Sequence, residues 1–347
     1  MAGRDSHVEE NDVAMEKQSQ APVKQFMATW KKVIITGVTL ASIIGLSVGF
    51  SVGLTRPRGG SDDESSTSNK TGIELRNVSG RSLKWAPKVG ETWQIVLQNT
   101  IRSDIDFTPD VSIWDFDVFD NDKETIDKLH DRGKKVVCYF SAGTWERGRT
   151  DADQFPEEDL GGTLPEWTDE RWARISSSKV RNIMKSRIAL AARKGCDAID
   201  PDNVDGFQND ENNLGLTPQD SIDYLGFLHD EASKYNMALG LKNAADIIDD
   251  VMHLVDFSVN EQCAADQENP ECESFHKFIE AGKPVFHIEY PPEDDAQTYP
   301  DDLREEICAR KGSGKGSDEF STIFKRMNLD GWVQFCNGDI YETALVP

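Results

Sequence analysis

Eight short apolar runs, separated by longer helical patterns, constrain the fold of this chain most strongly. The runs occupy residues 94–98, 111–117, 135–141, 196–200, 237–242, 255–261, 284–290 and 331–335. Residues 179–194 place their apolar side chains on one helical stripe, and residues 217–220 (TPQD) combine an N-cap, a proline and a capping-box acid. Eight strands with helical crossovers over about 250 residues predict an α/β fold, a (β/α)8 TIM-like barrel.

A doubly wound open sheet is the alternative architecture. Such a sheet normally carries a glycine-rich turn after its first strand, and this sequence has none there. The stretch KGSGKGS (311–317) lacks the spacing and the preceding strand of a phosphate-binding loop, and it predicts a flexible loop instead. The pattern therefore favours the barrel.

An uncharged apolar stretch at residues 33–54 precedes this domain. A helix of this length, rising about 1.5 Å per residue, crosses a ~30 Å hydrocarbon core. The alternative is a cleaved signal peptide, but the stretch lies far from Met1 and is longer than a signal-peptide core. We therefore expect a single transmembrane helix that acts as a signal anchor.

Residues 55–84 form a polar, Ser-rich stalk with glycosylation sequons at Asn69 and Asn77. The flanking basic residues hardly orient the membrane segment. The two sequons and the six cysteines, an even number suited to disulfides, favour an oxidising compartment for everything after residue 55. We expect a single-pass type II membrane protein, with residues 1–32 in the cytosol and the domain at 85–347 at the cell surface or in the secretory pathway.

The formal net charge of −24 limits the partners of the protein. Nucleic-acid binding requires clustered lysine and arginine to neutralise phosphates, so no nucleic-acid partner is expected. An acidic surface instead favours cationic partners.

Polar residues recur at the carboxyl ends of successive predicted strands, where barrels collect their functional side chains. The period-two alternation of strands pairs Asp115 with Asp117 and Asp200 with Asp202 on one face. Ordinary polar loops are the alternative interpretation. The candidate site residues are Asp115, Asp117, Tyr139, Asp200, Asp202, Asn203, Asp205, Lys242, Asn260, Glu261, Glu289 and Tyr290.

Two carboxylates that face one cavity are the minimal machinery of glycoside hydrolysis. The same acids could bind Ca²⁺ or Mg²⁺ through oxygen ligands. However, the sequence DPDNVDG resembles the start of an EF-hand only weakly, since Asn212 stands where the bidentate glutamate would be. We therefore predict no metal site and no cofactor.

The motifs VSIWDFDVFD, KKVVCYFSAGTWE, GCDAIDPDNVDGF, LGLKN, FSVNEQC and VFHIEY resemble, in order and spacing, those of glycoside hydrolase family 114. The resemblance covers residues 93–335, and DPDNVDG together with VNEQC is its most specific part. It implies a TIM-like barrel and endo-α-1,4-polygalactosaminidase activity on galactosaminogalactan. A membrane-anchored form with a short stalk resembles the fungal members more than the secreted bacterial ones.

The resemblance transfers the catalytic pair to Asp202 and Glu261. We expect a retaining mechanism, with Asp202 as nucleophile and Glu261 as acid/base. The remaining acids suit a cationic galactosamine-containing polysaccharide. Lys242 is expected to pair with a carboxylate and keep it ionised, although a surface lysine at the barrel mouth is the alternative.

The cysteines and the aromatic residues give further expectations. Bridges could join Cys263 to Cys272, Cys308 to Cys336 and, with more demanding geometry, Cys138 to Cys196. Tyr139, Trp145 and Tyr290 could stack on sugars or cations. Trp114 alternates with Asp115, so it is expected to face the helices and to lie outside the site.

Two other function classes compete with an enzyme. One is a non-catalytic, lectin-like cell-surface module that binds cationic polysaccharide, because fold alone does not establish catalysis. The other is a calcium-stabilised structural ectodomain. New reducing ends in a galactosamine polymer would distinguish the enzyme from both.

Overall fold

The computed structural model describes residues 82–209, 212–265, 270–292 and 298–346. The predicted cytosolic tail, the membrane segment at 33–54 and the sequons at Asn69 and Asn77 lie outside the described residues. Within the described ranges, no helix has the length and apolar character needed to cross a membrane.

Short strands and intervening helices make up the described chain. The strands are β1 (Trp93–Val96), β2 (Ile113–Asp117), β3 (Lys135–Ser141), β4 (Thr144–Glu146), β5 (Leu160–Thr163), β6 (Glu170–Ala173), β7 (Ala198–Asp202), β8 (Ala238–Lys242), β9 (Phe257–Glu261), β10 (Val285–Glu289), β11 (Ser321–Phe324), β12 (Trp332–Phe335) and β13 (Ile340–Glu342). The α-helices are α1 (Lys123–Asp131), α2 (Ser178–Lys194), α3 (Pro218–Ser233), α4 (Ile248–Val251), α5 (Cys272–Glu280) and α6 (Asp301–Cys308).

One mixed sheet organises the molecule, in the order β1-β2-β3-β7-β8-β9-β10-β11-β12-β13. Its first eight strands pair in parallel, and β12 and β13 add antiparallel. The sheet curls, and hydrogen bonds link the β1 region to β11: Trp93 Nε1 donates to the Ser321 carbonyl at 2.7 Å, and Ser321 Oγ donates to the Glu91 carbonyl at 2.7 Å. This curled half-barrel is consistent with the predicted TIM-like fold.

The last predicted strand, residues 331–335, is present as β12 (Trp332–Phe335), but its place as the eighth strand of the barrel was wrong. β12 pairs antiparallel, and the eighth parallel strand is β11, which the sequence patterns did not indicate. β11 has only four residues, too few for a clear alternation. The predicted strand at 196–200 also continues to Asp202, and β1 connects to β2 without a helix.

The predicted helix starts are correct. Thr217 and Asp220 form the expected capping box of α3, with Asp220 Oδ2 accepting from the Thr217 backbone N–H at 2.8 Å. α2 begins after its N-cap Ser177 and ends at Gly195, whose φ of 107° requires a residue without a Cβ.

A small antiparallel sheet, in the order β4-β6-β5, is inserted between β3 and α2, and the sequence did not predict it. Gly143 connects it to the main sheet, since its N–H donates to the Asp202 carbonyl at 3.0 Å and its carbonyl accepts from Ala173 N–H at 2.8 Å. A Cβ at Gly143 would lie 1.6 Å from the Asn203 carbonyl oxygen. Only glycine permits this close approach.

The two faces of the main sheet bury different side chains. Its concave interior begins with an apolar layer that includes Ile113, Val137, Ala198 and Val259. The convex face packs against the helices, and Trp114 is fully buried there, as its alternation with Asp115 predicted. Towards the carboxyl ends of the strands, the interior positions become polar.

All three predicted disulfides are present: Cys138–Cys196, Cys263–Cys272 and Cys308–Cys336. The first joins adjacent parallel strands β3 and the start of β7, and the second closes the loop after Glu261. The segment 311–317, predicted to be a flexible loop, is packed instead. Ser313 and Ser317 in it are buried.

Candidate active site

Three charged side chains end three adjacent parallel strands. Asp202 ends β7, Lys242 ends β8 and Glu261 ends β9. The ammonium nitrogen of Lys242 lies 3.5 Å from Asp202 Oδ1 and 3.4 Å from Glu261 Oε2. The side chain of Lys242 is only 2% exposed, whereas those of Asp202 and Glu261 are 19% and 21% exposed. Lys242 is thus a buried cation between two accessible carboxylates, and not a surface lysine.

A tyrosine donates a hydrogen bond to each of these carboxylates. Tyr139 OH donates to Asp202 Oδ2 at 2.7 Å, and Tyr290 OH donates to Glu261 Oε1. Burial and the adjacent carboxylate raise the pKa of both phenols well above the ordinary value. Both tyrosines therefore stay protonated and act as donors, a more specific placement than the stacking role expected from the sequence.

The residue that follows each of the three strand ends has a left-handed backbone, with φ of 60° at Asn203, 49° at Asn243 and 60° at Gln262. These conformations turn the chain so that two of the residues reach the carboxylates. The Asn203 N–H donates to Asp202 Oδ1 at 2.8 Å, and Asn243 Nδ2 donates to Glu261 Oε2 at 3.1 Å. Asparagine tolerates this backbone region better than most residues do.

Asp115 and Asp200 lie below Asp202 and Glu261 on the same interior face. Both are buried, and none of their carboxylate oxygens has a hydrogen-bond partner within the described residues. Burial is the main cause that raises the pKa of Asp200 to about 7 and that of Asp115 well above its ordinary value. Neighbouring acids raise both further, against the charge of Lys242. Burial and the neighbouring acids therefore disfavour the ionised form of both carboxylates, and Lys242 Nζ, 3.9 Å from Asp200 Oδ2, offsets part of this effect.

The charges around Lys242 determine its protonation state. Burial by itself lowers the pKa of Lys242, but Asp202, Glu261, Asp200 and Asp115 outweigh burial and raise it well above the ordinary value. The ammonium group also lies 5.3 Å from the centre of the Tyr139 ring, within cation–π distance. Lys242 therefore carries a fixed positive charge at the centre of the site.

Asp205 is half-buried near the same pair. Burial, followed by the charge of Asp202, raises its pKa to about 7. Its sequence position, three residues after Asp202, places it at the mouth beside the other predicted acids.

Asp117 lies on the interior face, but its carboxylate already binds other groups of the protein. Arg149 Nη2 lies 2.5 Å from Asp117 Oδ2, and Asp117 Oδ1 accepts from the Phe119 N–H at 2.7 Å. The carboxylate is 1% exposed. The structure thus gives Asp117 a role in tying β2 to Arg149 and the β4 region.

Asn260 and Glu289 alternate with the interior residues and lie on the convex side, away from the mouth. Glu289 Oε1 accepts from His287 Nε2 at 2.8 Å and from the Ala264 N–H at 2.8 Å. It therefore holds the loop after Glu261. Asn260 is buried, and the structure does not bring it together with Asp202 and Glu261.

Three residues that shape the site are not among the candidate site residues predicted from the sequence. Asn243 orients Glu261, Gly143 contacts the backbone of Asn203, and Glu170 of β6 lies close enough to Asp202 for its charge to matter. Asn243 follows a predicted strand directly, a signal that could have identified it. Glu170 belongs to the inserted sheet, which had no such pattern.

Metal-ligand geometry occurs at one place among the described residues. Cys263, Cys272 and His287 bring their ligand atoms within 4.8 Å of one another. Because Cys263 and Cys272 share a disulfide, they present no thiolate to a metal. The Cys263–Cys272 disulfide therefore accounts for the short distances among these three residues.

The paired carboxylates at one end of a TIM-like sheet agree with a family comparison. The profile of glycoside-hydrolase family GH114 matches residues 75–341. The chain belongs to glycoside-hydrolase family GH114. This GH114 protein is accordingly a glycoside hydrolase, as the motifs predicted.

Two solved structures are similar to this GH114 enzyme. Aspergillus fumigatus Ega3, solved in complex with galactosamine, is 46% identical with a TM-score of 0.68, and the match covers 73% of this chain and 98% of that one. The glycoside hydrolase domain of PelA from Pseudomonas aeruginosa shares the fold at 14% identity and a TM-score of 0.52, over 69% of this chain and 95% of that domain. No curated protein matches the chain.

Proposed function

We propose that this GH114 enzyme cleaves internal bonds of α-1,4-linked galactosamine polymers. The observation that carries the proposal is the accessible pair Asp202 and Glu261, positioned around Lys242 at the carboxyl ends of the strands. Hydrolysis of a glycosidic bond needs one carboxylic acid to protonate the departing oxygen and one carboxylate on the other side of the sugar. The two side chains meet both requirements.

The charge of the mouth supports a cationic substrate. De-N-acetylated galactosamine carries an ammonium group. The buried carboxylates of Asp115 and Asp200 have no hydrogen-bond partner among the described residues, and Lys242 Nζ approaches Asp200 Oδ2 only to 3.9 Å. An ammonium group bound nearby would stabilise their ionised forms. The 46% identical Aspergillus fumigatus structure contains galactosamine, which supports the same sugar here.

The proposed mechanism is retaining, with Asp202 as the nucleophile. Asp202 attacks the anomeric carbon while Glu261 gives its proton to the departing oxygen; water then hydrolyses the glycosyl–Asp202 ester as Glu261 takes a proton from that water. Tyr139 OH, the Asn203 N–H and Lys242 all favour the ionised form of Asp202. Tyr290 and Asn243 hold Glu261 in a fixed orientation as it loses and regains its proton.

The separation of the pair is compatible with retention. Asp202 Oδ1 and Glu261 Oε2 both lie within 3.5 Å of one nitrogen, so they are at most roughly 7 Å apart. Retaining enzymes hold their carboxyl groups ~5–5.5 Å apart, whereas inverting enzymes use ~6.5–9.5 Å. The upper bound of about 7 Å includes the retaining spacing and only the lower end of the inverting range.

The decisive experiment incubates the protein with de-N-acetylated α-1,4-galactosamine polymer and measures new reducing ends. We expect early products of intermediate length, released with retained anomeric configuration as followed by NMR. Asp202→Asn and Glu261→Gln should still bind the polymer but lose nearly all cleavage. Binding by the wild type without new reducing ends would favour the lectin-like alternative, and inverted products would contradict the nucleophile assignment.

The acetylation state of the substrate tests the charge argument separately. Chemical N-acetylation removes the ammonium groups and leaves the glycosidic bonds unchanged. We expect acetylated polymer to be cleaved very little. Equal turnover of the two polymers would contradict a substrate chosen by charge.

We also propose that residues 33–54 anchor the enzyme in a membrane with the hydrolase domain outside the cytosol. The three disulfides support an oxidising compartment. A protein that resists carbonate extraction would support the anchor. Deglycosylation should change the electrophoretic mobility of the wild type and not that of an Asn69→Gln/Asn77→Gln variant, which would support a domain outside the cytosol. A protein released by carbonate would contradict it.

A further inference from the structure

We propose that Glu170 is a positioning residue for Asp202, acting through a chain of side-chain hydrogen bonds that runs from β6 into the catalytic mouth. The chain begins at Asn203, whose Nδ2 donates to Ser141 Oγ at 3.0 Å. Ser141 Oγ lies 2.5 Å from Thr144 Oγ1, and Thr144 Oγ1 donates to Glu170 Oε2 at 2.6 Å. We call these four residues the Glu170 relay.

The direction of the relay follows from counting hydrogens. A hydroxyl group has one hydrogen to donate, and Thr144 gives its hydrogen to the Glu170 carboxylate. Ser141 must therefore donate to Thr144, and the Ser141 oxygen accepts from Asn203. All three bonds point towards Glu170. Ser141 and Thr144 are both 0% exposed, so bulk water does not replace these bonds.

The other end of the relay reaches a catalytic carboxylate. Asn203 directly follows Asp202, and its backbone N–H donates to Asp202 Oδ1 at 2.8 Å. The left-handed backbone of Asn203 (φ 60°) needs support from its surroundings, and the bond to Ser141 anchors its side chain. The anchored asparagine in turn keeps its N–H directed at Asp202.

The relay depends on a hydrogen-bond acceptor at its end, and the ionised carboxylate of Glu170 is that acceptor. Burial raises the pKa of Glu170 to about 7. The charges of Glu146 and Asp202 also raise it, whereas the Thr144 hydrogen bond and the charge of Arg149 lower it. Protonation of Glu170 weakens the acceptor for Thr144, so the relay orders Asp202 best when Glu170 is ionised. The inserted sheet β4-β6-β5 is thereby coupled to the nucleophile.

Kinetics of four variants test the relay, with cleavage of the polymer as a readout that rests on the proposed function. Glu170→Ala removes the acceptor, and Thr144→Val removes the middle hydroxyl with little change of shape. We expect each to lower kcat about 10-fold with KM changed less than ~2-fold, and the double variant to be no slower than either single one. Glu170→Gln keeps an acceptor, so its kcat should stay within ~3-fold but lose the inflection near pH 7.

Three results would overturn the relay. They are additive losses in the double variant, an unchanged pH profile in Glu170→Gln, or a raised KM with normal kcat, which would instead make Glu170 a binding group for the substrate ammonium. Glu157→Gln is the matched control, since Glu157 is an exposed carboxylate of the same region, paired with Arg171. It should behave as the wild type.

A second readout does not depend on cleavage. In the full chain labelled with ¹⁵N-asparagine, the side-chain amide signal of Asn203 should shift with a midpoint near pH 7. The shift should be absent in Glu170→Gln. An Asn203 amide that does not respond to pH in the wild type would contradict the relay. A wild type that cuts no polymer would count only against the proposed function.

Discussion

The ammonium nitrogen of Lys242 lies 3.4 Å from Glu261 Oε2 in a buried position, so the Glu261 carboxylate faces a fixed cation. The same nitrogen lies 3.5 Å from Asp202 Oδ1. A single positive charge therefore offsets the repulsion between two carboxylates that must work within a few ångströms of each other. This arrangement explains how an acidic cluster can be tolerated at the centre of the fold.

Replacing Lys242 by methionine should abolish most of the activity. The variant keeps the length of the side chain but leaves Asp202, Glu261 and Asp200 without their shared cation, which favours protonated carboxylates and changes their spacing. We expect kcat/KM to fall by about 10²–10³-fold, measured as reducing ends from the polymer. A thermal melt identifies any loss of folding. A Lys242→Met enzyme within ~3-fold of the wild type would show that the cation is dispensable.

Tyr139→Phe and Tyr290→Phe should each slow cleavage. Each variant removes one hydroxyl donor and keeps the ring, so its carboxylate partner, Asp202 or Glu261, loses one hydrogen bond. Each should lower kcat about 10-fold, measured as reducing ends from the polymer.

A kcat within ~3-fold of the wild type in either variant would contradict the importance of its hydroxyl. Tyr235→Phe is the matched control, since Tyr235 is an exposed tyrosine. Its kcat should match that of the wild type.

Asp200→Asn should make the stability of the protein less dependent on pH. The folded-state pKa of Asp200, about 7, lies above the ordinary aspartate value, so the folded state binds more protons between pH 4 and 7. The contribution of Asp200 to stability is thus fully present below about pH 4 and is lost as the pH rises through 7. Asparagine does not ionise, so the Asp200→Asn variant does not lose this stability as the pH rises.

We therefore expect Asp200→Asn to melt above the wild type at pH 8, by a stabilisation on the order of 1–4 kcal/mol, and close to it at pH 4. Differential scanning calorimetry at both values measures the difference. The exposed Asp223 of α3 provides the control Asp223→Asn, which should show no such pH dependence. An Asp200→Asn variant that is destabilised more at pH 8 than at pH 4 would reverse the sign and contradict the argument.

Gly143→Ala should damage both stability and activity. Its Cβ would lie 1.6 Å from the Asn203 carbonyl oxygen, and the backbone that carries Asp202 must move to relieve the overlap. We expect a loss of about 2–4 kcal/mol in the free energy of unfolding and a strong decrease in kcat. Gly148→Ala is the matched control, because no atom lies within 4 Å of its added Cβ. Equal behaviour of the two variants would show that the contact is not important.

The sequence by itself determined the parallel strands with long apolar runs and the residues that end them. β3 matches its predicted range, residues 135–141, and the capping box at Thr217 and Asp220 forms as expected. These features depend on local physics, namely side-chain alternation and the hydrogen-bonding needs of a helix start. The same alternation placed Asp200 and Asp202 on the interior face with Asp115.

Only the tertiary structure decided which polar residues belong to the site. Asp117 has the same alternation as Asp115 but is paired with Arg149, and Glu289 ends its strand like Glu261 but holds the loop at Ala264. Glu170 reaches the site from the inserted sheet, more than 30 residues before Asp202 in the sequence. Hydrogen bonds between distant segments depend on how the strands pack, and local periodicity carries no information about those contacts.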